Sequence, residues 1–307
     1  MRHISIIVPV YNEEETIASM VEAIGDVLKD CLYEYSILFV DDGSTDLTLD
    51  IIKKLSVKDS FIQYISFSRN FGHQNALKAG LDKANGDCII TMDGDMQHPA
   101  HLIPIMLKKY EEGYDVVYTI RKDDKKLPFL KRKTSSLFYS LLNKLSDVKV
   151  ERGSADFRLL ASHVAIALKN LTEYDLFFRG LVKWAGFRQT AIEYCSEHRT
   201  KGTTKYTVRK MVRLGLYGIL SFSTKPLHFA VYSGFLFSML SLLYLPYVFY
   251  SYYFGYTISG WASVIVTIAF FGGLQLMVLG IIGLYIGRIF MQIKNRPAYL
   301  IRETNIL

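Results

Sequence analysis

The sequence predicts an α/β fold with a mostly parallel sheet, followed by two membrane-spanning helices. Through the first 120 residues, short apolar runs alternate with segments of helical periodicity, which is the pattern of a βαβ series. Farther along, residues 227–254 and 261–287 contain no Asp, Glu, Lys or Arg, and each run exceeds the roughly 20 apolar residues that a bilayer-spanning helix needs. With 307 residues, 50% of them hydrophobic, the chain is long enough for one or two domains with a core.

Five apolar runs are predicted to be strands, at residues 4–10, 37–40, 64–67, 88–92 and 116–120. A helix is predicted between the first two, because apolar residues repeat there at helical spacing: Ile17, Met20, Val21, Ile24, Val27 and Leu28. Asn12 and Glu15 have the spacing of a capping box at the start of this helix. Such a series places helices on both faces of the sheet, so the carboxyl ends of its parallel strands meet at one edge.

The chain changes character after Arg121. A basic stretch is followed by a predicted helix around residues 138–145, and residues 206–226 are predicted to form an amphipathic helix in the bilayer interface. Apolar residues share that second segment with three cations, Arg209, Lys210 and Arg213. An ordinary surface helix is the alternative, and the adjacent apolar run favours the interfacial position.

The two long apolar runs are predicted to span the cell membrane rather than to form a buried hairpin of core helices. Tyr and Trp flank them and the second is rich in glycine, which permits close packing of helices, including those of a second copy in a homo-oligomer. Lys and Arg crowd the outer flanks, so the positive-inside rule places both termini in the cytoplasm. The expected parts are a cytoplasmic domain at 1–205, the juxtamembrane helix at 206–226, spans at 227–254 and 261–287, and a cytoplasmic tail at 288–307.

The net charge of +7 does not predict a nucleic-acid partner, because the basic residues gather beside the membrane spans rather than among aromatic residues. Anionic lipid headgroups or a lipid phosphate are the expected partners. Cys31, Cys88 and Cys195 are widely separated, which predicts reduced packing residues and no zinc site. The first apolar run is short and leads into charged sequence, so no signal peptide is expected.

The most informative stretch is Asp93-Gly94-Asp95, directly behind the fourth predicted strand. Ligands of parallel α/β sheets bind beyond the carboxyl ends of strands, and two carboxylates there suit a hard cation such as Mg²⁺ that also holds substrate phosphates. An acidic turn is the alternative, because Asp and Gly are common turn residues. No glycine-rich phosphate loop follows the first strand, which disfavours a dinucleotide-binding or P-loop fold.

Four predicted strand ends carry polar motifs: Pro9-Val10-Tyr11-Asn12-Glu13, Asp41-Asp42-Gly43-Ser44-Thr45-Asp46, Asn70-Phe71-Gly72-His73-Gln74 and Asp93-Gly94-Asp95-Met96-Gln97-His98-Pro99. Together they resemble family 2 glycosyltransferases of the GT-A fold. The later Asp156-Phe157-Arg158, the spacing of Arg199 and Lys205, and the two terminal spans narrow the resemblance. The chain looks like a bacterial polyprenyl-phosphate glycosyltransferase, a group that is similar to dolichyl-phosphate mannose synthase.

This resemblance implies an inverting enzyme that moves a sugar, from UDP-glucose or UDP-GlcNAc, to undecaprenyl phosphate with Mg²⁺ or Mn²⁺ bound. The nucleotide-sugar would be bound by Pro9, Tyr11, Glu13, Val40, Asp42, Asp93, Gly94, Gln97 and Arg121. Asp93 and Asp95 would hold the metal, and the acceptor phosphate would contact Arg132, Ser135, Arg199 and Lys205. Catalytic roles would fall to Asp95, Arg132 and Asp156.

Three of these implied roles have alternatives in the sequence itself. Asp42 could cap a turn or helix, and Glu13 could favour a helix N-terminus electrostatically. Asp156 resembles the family's candidate base, but a phosphate monoester is mostly dianionic at neutral pH and is already a nucleophile. Asp156 could equally orient Arg158 or a cation that binds the acceptor.

Alternative functions are a transferase that uses GDP-mannose, a processive polysaccharide synthase, and an inactive membrane scaffold or flippase partner. Two spans are few for a synthase that conducts its polymer across the membrane. The intact Asp93, Asp95 and Gln97 argue against an inactive scaffold.

Overall fold

The computed structural model describes residues 2–122, 151, 153–173, 176–194, 223–255 and 260–306. The strands among them are β1 (Arg2–Val10), β2 (Tyr33–Asp41), β3 (Ile62–Phe67), β4 (Cys88–Thr91), β5 (Val116–Arg121), β6 (Ser154–Ala161), β7 (Gln189–Tyr194) and β8 (Ile301–Thr304). The helices are α1 (Ile17–Leu28), α2 (Thr48–Lys58), α3 (His73–Lys83), α4 (Leu102–Glu111), α5 (Ser162–Lys169), α6 (Phe178–Trp184), α7 (Lys225–Tyr253) and α8 (Trp261–Ile293).

All eight strands form one sheet in the order β7-β5-β6-β4-β1-β2-β3-β8. The pairs β1/β2, β1/β4, β2/β3 and β5/β7 are parallel, whereas β6 and β8 run antiparallel to their neighbours. The five predicted strands and the mostly parallel sheet are confirmed. The chain moves from β1 to β2 and β3 on one side and returns to β4 on the other, which opens a crevice beside the carboxyl end of β1.

Alternate residues of β1 pack into two cores, one on each face of the sheet. Ile4, Ile6 and Val8 pack on one face with α1, as its helical spacing predicts, whereas Ile7 packs on the other with α3. Each of these side chains is fully buried, and only the amino end of the strand, at Arg2, is exposed.

The predicted capping box at the start of α1 is wrong. The N-cap residue is Thr16, whose hydroxyl donates to the carbonyls of Glu13 and Gly94 instead. Asn12 lies outside the helix with a φ of 55°, and its side-chain oxygen accepts the N–H of Thr45 at 2.9 Å. Tertiary contacts between loops thus replace the local cap that the spacing predicted.

Two long helices occupy the regions predicted as spans, but their ends differ from the prediction. By length and composition, Ser263–Ile293 is the one candidate membrane span among the described residues. Its apolar window is entirely exposed, and large apolar side chains of α7 such as Phe229 and Phe235 are exposed too, so the helices do not form the buried core hairpin considered above. The helix α8 runs past Gly287 to Ile293.

The predicted tail also has structure of its own, because β8 pairs with β3 at the edge of the sheet. The sequence did not predict β8, a short strand with charged residues and no neighbouring turn signal. Most of the predicted amphipathic helix at 206–226, and the predicted helix around 138–145, lie outside the described residues.

Gly43 and Gly186 offer a test of how closely the loops at the sheet edge pack. Both have positive φ, 71° and 73°, but a Cβ at position 43 would lie 2.6 Å from the carbonyl carbon of Arg69, whereas one at position 186 would lie 3.8 Å from its nearest neighbour. We expect backbone strain to lower the free energy of unfolding of both alanine variants by about 1 kcal/mol. The clash should lower that of Gly43→Ala by roughly 2 kcal/mol more. Equal losses in chemical unfolding would contradict this packing.

Candidate active site

A cavity of about 470 Å³ lies at the carboxyl ends of β1, β2 and β4, between the start of α3 and the start of β6. It occupies the crevice that the strand order creates. The predicted site residues that line it are Pro9, Tyr11, Glu13, Asp42, Asp93, Gly94, Asp95 and Asp156. The fold therefore brings together residues from strand ends that are far apart in sequence.

The loop that carries Asp93 and Asp95 is fixed by its own backbone. The N–H of Asp93 donates to Nδ1 of His98 at 3.1 Å, and the N–H of Gln97 donates to Oδ1 of Asp95 at 3.2 Å. A Cβ on Gly94 would lie 2.8 Å from Cγ1 of Val10, so this position needs glycine for close approach to β1. Met96 has a φ of 59°, a strained conformation of the kind found at functional sites.

One carboxylate oxygen in this loop is buried without a hydrogen bond. Oδ1 of Asp93 has no hydrogen-bond partner in the described part of the chain and lies 3.3 Å from Nε2 of His73. Oδ2 of the same carboxylate lies 3.6 Å from Nε2 of His98. Burial opposes the charge on His73, but Asp93 and Asp156 outweigh it and raise the pKa of the His73 imidazole to about 9. His73 thus compensates the charge of this carboxylate, while the buried Oδ1 accepts no hydrogen bond within the described part of the chain.

Asp42 holds the loop before α3. Its carboxylate is nearly buried and accepts the N–H groups of Phe71 at 2.6 Å and Gly72 at 3.0 Å. Burial raises the pKa of the Asp42 carboxyl, although these two amides oppose the shift. These contacts brace a distant loop and are not the turn or helix cap within residues 42–46 that was the alternative, and the same residue also lines the cavity.

Asp156 is surrounded by cations. Arg179 binds it with two hydrogen bonds, Nε to Oδ1 at 3.0 Å and Nη2 to Oδ2 at 2.8 Å, and Nη2 of Arg158 lies 3.6 Å away. Nε2 of His73 lies 3.7 Å from Oδ2. Burial by itself would raise the pKa of Asp156, but Arg179, His73 and Arg158 hold that pKa well below its usual range. Asp156 is thus an ionised anchor for Arg179, which also lines the cavity.

Three predicted nucleotide-sugar residues lie beside the cavity rather than in its lining. Nη1 of Arg121, at the end of β5, donates to Oε1 of Gln97 at 3.1 Å, which brings a cation to the Asp95 loop. Val40 departs from its predicted place at the nucleotide, because its side chain is fully buried in the core between β2 and α3. Side chains alternate along a strand, so Val40 and Asp41 face opposite sides of β2. Val40 packs in the core on the α3 side and supports the site from within the sheet.

Sequence reasoning missed His73 and Arg179 as site residues. His73 belongs to a strand-end motif that was recognised, but the motif did not indicate that the imidazole lies between Asp93 and Asp156. Arg179 belongs to no recognised motif. It reaches Asp156 because α6, which carries it, packs beside β6. The predicted acceptor residues Arg132, Ser135, Arg199 and Lys205 lie outside the described residues.

Comparison with known proteins places this geometry in a family. Residues 5–165 match the model described as Glycosyl transferase family 2. The chain is 44% identical over 306 residues to the uncharacterized glycosyltransferase YkcC of Bacillus subtilis, covering 99% of this chain and 95% of the relative. It is 41% identical over 303 residues to the SfII prophage-derived bactoprenol glucosyl transferase of Shigella flexneri, covering 98% of each. A prophage bactoprenol glucosyl transferase homolog of Escherichia coli is 40% identical over 301 residues, covering 98% of each chain.

The family match covers the strand ends that build the cavity, and the similarity to these relatives runs nearly end to end. The sheet order and the carboxylate loop after β4 agree with the resemblance that the sequence motifs carry. The chain belongs to glycosyl transferase family 2 and has the GT-A α/β fold of that family.

Proposed function

We propose that this protein transfers a sugar from a nucleoside diphosphate to a polyprenyl phosphate at the cytoplasmic face of the cell membrane. The observation that carries the proposal is the buried, unsatisfied oxygen of Asp93 beside Asp95, at the floor of an open cavity. Such an oxygen can bind a cation. Carboxylates and a diphosphate are both anionic, so they bind each other only through a cation that they share. The names of the relatives, bactoprenol glucosyl transferases, favour glucose as the sugar and a polyprenyl phosphate as the acceptor, and the resemblance of the motifs implies UDP as the nucleotide.

The carboxylates fit a hard divalent cation. Among the described residues no cluster of three or more His, Cys, Asp or Glu side chains is placed to hold a metal. Asp93 and Asp95 alone offer an incomplete set of oxygen ligands, which suits Mg²⁺ or Mn²⁺ that is completed by the phosphates of the donor. Such a cation stabilises the charge that develops on the leaving β-phosphate.

The rest of the lining suits the nucleoside half of the donor. Tyr11 is 37% exposed where it lines the cavity, and an aromatic ring there can stack on a base. Glu13 and Asp42 supply carboxylates for hydroxyl groups of the base or ribose. Gln97 and Arg121, joined by their hydrogen bond, lie on the side of the Asp95 loop where the diphosphate and the sugar would meet.

The reaction forms a bond between a phosphate oxygen of the acceptor and the anomeric carbon, and it breaks the bond from that carbon to the β-phosphate of the donor. The nucleoside diphosphate leaves with the electron pair. A lipid phosphate, with a second pKa of about 6, needs no proton removed at neutral pH. Attack from the face opposite the leaving group inverts the anomeric centre, so an α-linked donor gives a β-linked product.

Asp156 acts in this scheme through Arg179 rather than as a base. A carboxylate whose pKa is held low by three cations has little tendency to take a proton. Bringing a dianionic acceptor to an anionic diphosphate requires positive charge in the cleft, and the bidentate contact with Asp156 fixes Arg179 there. Lys205, Arg199, Arg132 and Ser135 remain predicted contacts of the acceptor phosphate.

The sheet also supports two membrane crossings. β3 precedes the long helices and β8 follows them, yet the two strands pair, so the chain on either side of the helices lies on one side of the membrane. The number of crossings between them is therefore even. If α8 crosses the bilayer, as its length and composition permit, then α7 supplies the second crossing and both termini lie on one side, which the positive-inside rule predicts to be the cytoplasm.

Asp95→Ala is expected to abolish transfer and the metal dependence of donor binding, because the second carboxylate of the cation site is lost. Transfer of radiolabelled glucose from UDP-glucose to undecaprenyl phosphate, with and without EDTA, measures this effect. Alanine at Asp30, an exposed carboxylate beyond α1, serves as the control and should leave transfer unchanged. Full activity in EDTA, or in Asp95→Ala, would rule out the metal-assisted mechanism.

Asp156→Asn is expected to leave measurable transfer with an unchanged pH profile from pH 5.5 to 8. The pKa of Asp156 is lowered, so this carboxylate stays ionised throughout that window, and any rise in rate with pH reflects the acceptor phosphate. Arg179→Gln should lower the transfer rate by a comparable factor. The double variant Asp156→Asn/Arg179→Gln should be little slower than either single variant. Lys205→Ala should instead raise the apparent KM for the acceptor.

A general base at position 156 gives a different pattern. Asp156→Asn would then lose on the order of 10²-fold or more in turnover, far more than Arg179→Gln, and would lose the pH dependence of the rate. Asp156→Asn leaves Arg158 and Arg179 without their anionic partner. Measuring UDP binding to each variant checks that the site is still folded.

Ser259→Cys is expected to react with a membrane-impermeant maleimide in intact cells, because two crossings place the connector between the helices outside. Glu22→Cys, at an exposed position of α1, should react only after the membrane is permeabilised. Labelling at position 22 with protection at position 259 would reverse the proposed topology.

A further inference from the structure

The segment after α8 is bound firmly to the catalytic sheet. In β8, Thr304 lies opposite Ile65 and Glu303 lies opposite Ser66 of β3. Nζ of Lys53 in α2 forms an ion pair of 2.6 Å with Glu303. Just before β8, the carbonyl of Leu300 accepts the N–H of Ser68 at 3.0 Å, and just after it Asn305 accepts the N–H of Tyr64 at 2.7 Å.

A bulge in this pairing directs Arg302 toward the sheet. The register passes from Ser66 opposite Glu303 to Phe67 opposite Ile301, so Arg302 has no residue opposite it on β3. Bulges of this kind re-aim a side chain near a functional site. Nη2 of the half-exposed Arg302 donates to the hydroxyl of Ser66 at 3.3 Å and to Oε1 of Glu303 at 3.4 Å.

A chain of hydrogen bonds continues from Ser66 to the loops that border the cavity. The Ser66 hydroxyl donates to Oδ2 of Asp41 at 2.8 Å, and the fully buried Asp41 accepts the N–H of Ser44 through Oδ1 at 2.9 Å. The hydroxyl of Ser44 accepts the N–H of Asn12 at 3.0 Å. Asn12 lies between Tyr11 and Glu13, which both line the cavity. The donors on both sides point toward Asp41, so this buried carboxylate joins the Ser66 side of the chain to the loop at Ser44.

An aromatic chain runs from the same segment to the other border of the cavity. The ring of Tyr299 stacks on Phe67 with centroids 5.1 Å apart, and Phe67 meets the edge of Phe71 at 5.6 Å. Phe71 lines the cavity and donates its N–H to Asp42. The hydroxyl of Tyr299 also donates to Asp82 of α3 at 3.0 Å.

We propose that residues 299–305 are a positioning element of the donor site, with Arg302 acting on the loop at 41–46 and Tyr299 on the loop at 70–73. The inference rests on the proposed function for the identity of the donor. The segment that follows α8 thereby sets the geometry of the loops at 41–46 and 70–73. Donor affinity then depends on a part of the chain that is attached to the membrane anchor and lies outside the cavity.

Arg302→Met in the full-length protein tests the first arm of this element. Loss of one hydrogen bond, worth about 1 kcal/mol, should raise the KM for UDP-glucose and the Kd for UDP roughly fivefold and leave kcat nearly unchanged. Arg302→Lys, which can still donate to Ser66, should recover part of the loss. Arg296→Met removes an exposed arginine that precedes residues 299–305 and lines a separate cavity. This control should change neither the KM for UDP-glucose nor the Kd for UDP.

Amide hydrogen exchange of the protein without nucleotide gives a readout that does not depend on the donor. Arg302→Met should speed exchange at Ser44 and Thr45 severalfold, whereas Tyr299→Leu should act on Phe71 and Gly72. The Arg302→Met and Ser66→Ala effects should not add, because they break the same chain.

Three results would overturn the positioning role: unchanged exchange in both loops, additive effects of Arg302→Met and Ser66→Ala, or an equal effect of Arg296→Met. Failure of the wild-type chain to bind UDP or UDP-glucose would instead contradict the proposed function. In that case faster exchange at Ser44 in Arg302→Met would still support the coupling.

Discussion

The organising constraint of this molecule is the concentration of carboxylates at one edge of the sheet. Glu13, Asp42, Asp93, Asp95 and Asp156 all line a single cavity, where burial makes uncompensated charge costly. Each carboxylate whose contacts are described is satisfied differently. Backbone amides hold Asp42, cations hold Asp156, and one oxygen of Asp93 is left without a hydrogen bond. That unequal distribution separates the carboxylates that build the cleft from the one that we propose binds the cation.

The same constraint links the site to the segment that follows the two long helices. Loops that carry so much charge must be fixed from behind, and the C-terminal segment supplies contacts to both borders of the cavity through Arg302 and Tyr299. Pairing of β8 with β3 also brings the residues on either side of the long helices together on one sheet. One short strand therefore bears on both the topology and the donor site.

Local patterns predicted the elements that periodicity or a strand-end motif marks. The five strands of the first 120 residues, the helix α1 and the lining carboxylates such as Asp93 were visible in this way. The contacts of His73 and Arg179 were not visible, because they depend on how α3 packs against β1 and β2 and how α6 packs against β6. β8 escaped prediction for a related reason, since its pairing partner lies more than 200 residues away in sequence. The capping box failed because Asn12 finds a better partner in a neighbouring loop.

The central claim is that Asp93 and Asp95 hold a divalent cation together with the diphosphate of a nucleotide. Thermodynamic linkage between the two ligands tests it most directly, because the binding of each must then strengthen the binding of the other by the same factor. Isothermal titration of the full-length protein with UDP, at increasing Mn²⁺, is expected to show at least a tenfold tighter Kd at saturating metal, with the reciprocal gain in Mn²⁺ affinity. UDP that binds equally tightly in EDTA would contradict the claim.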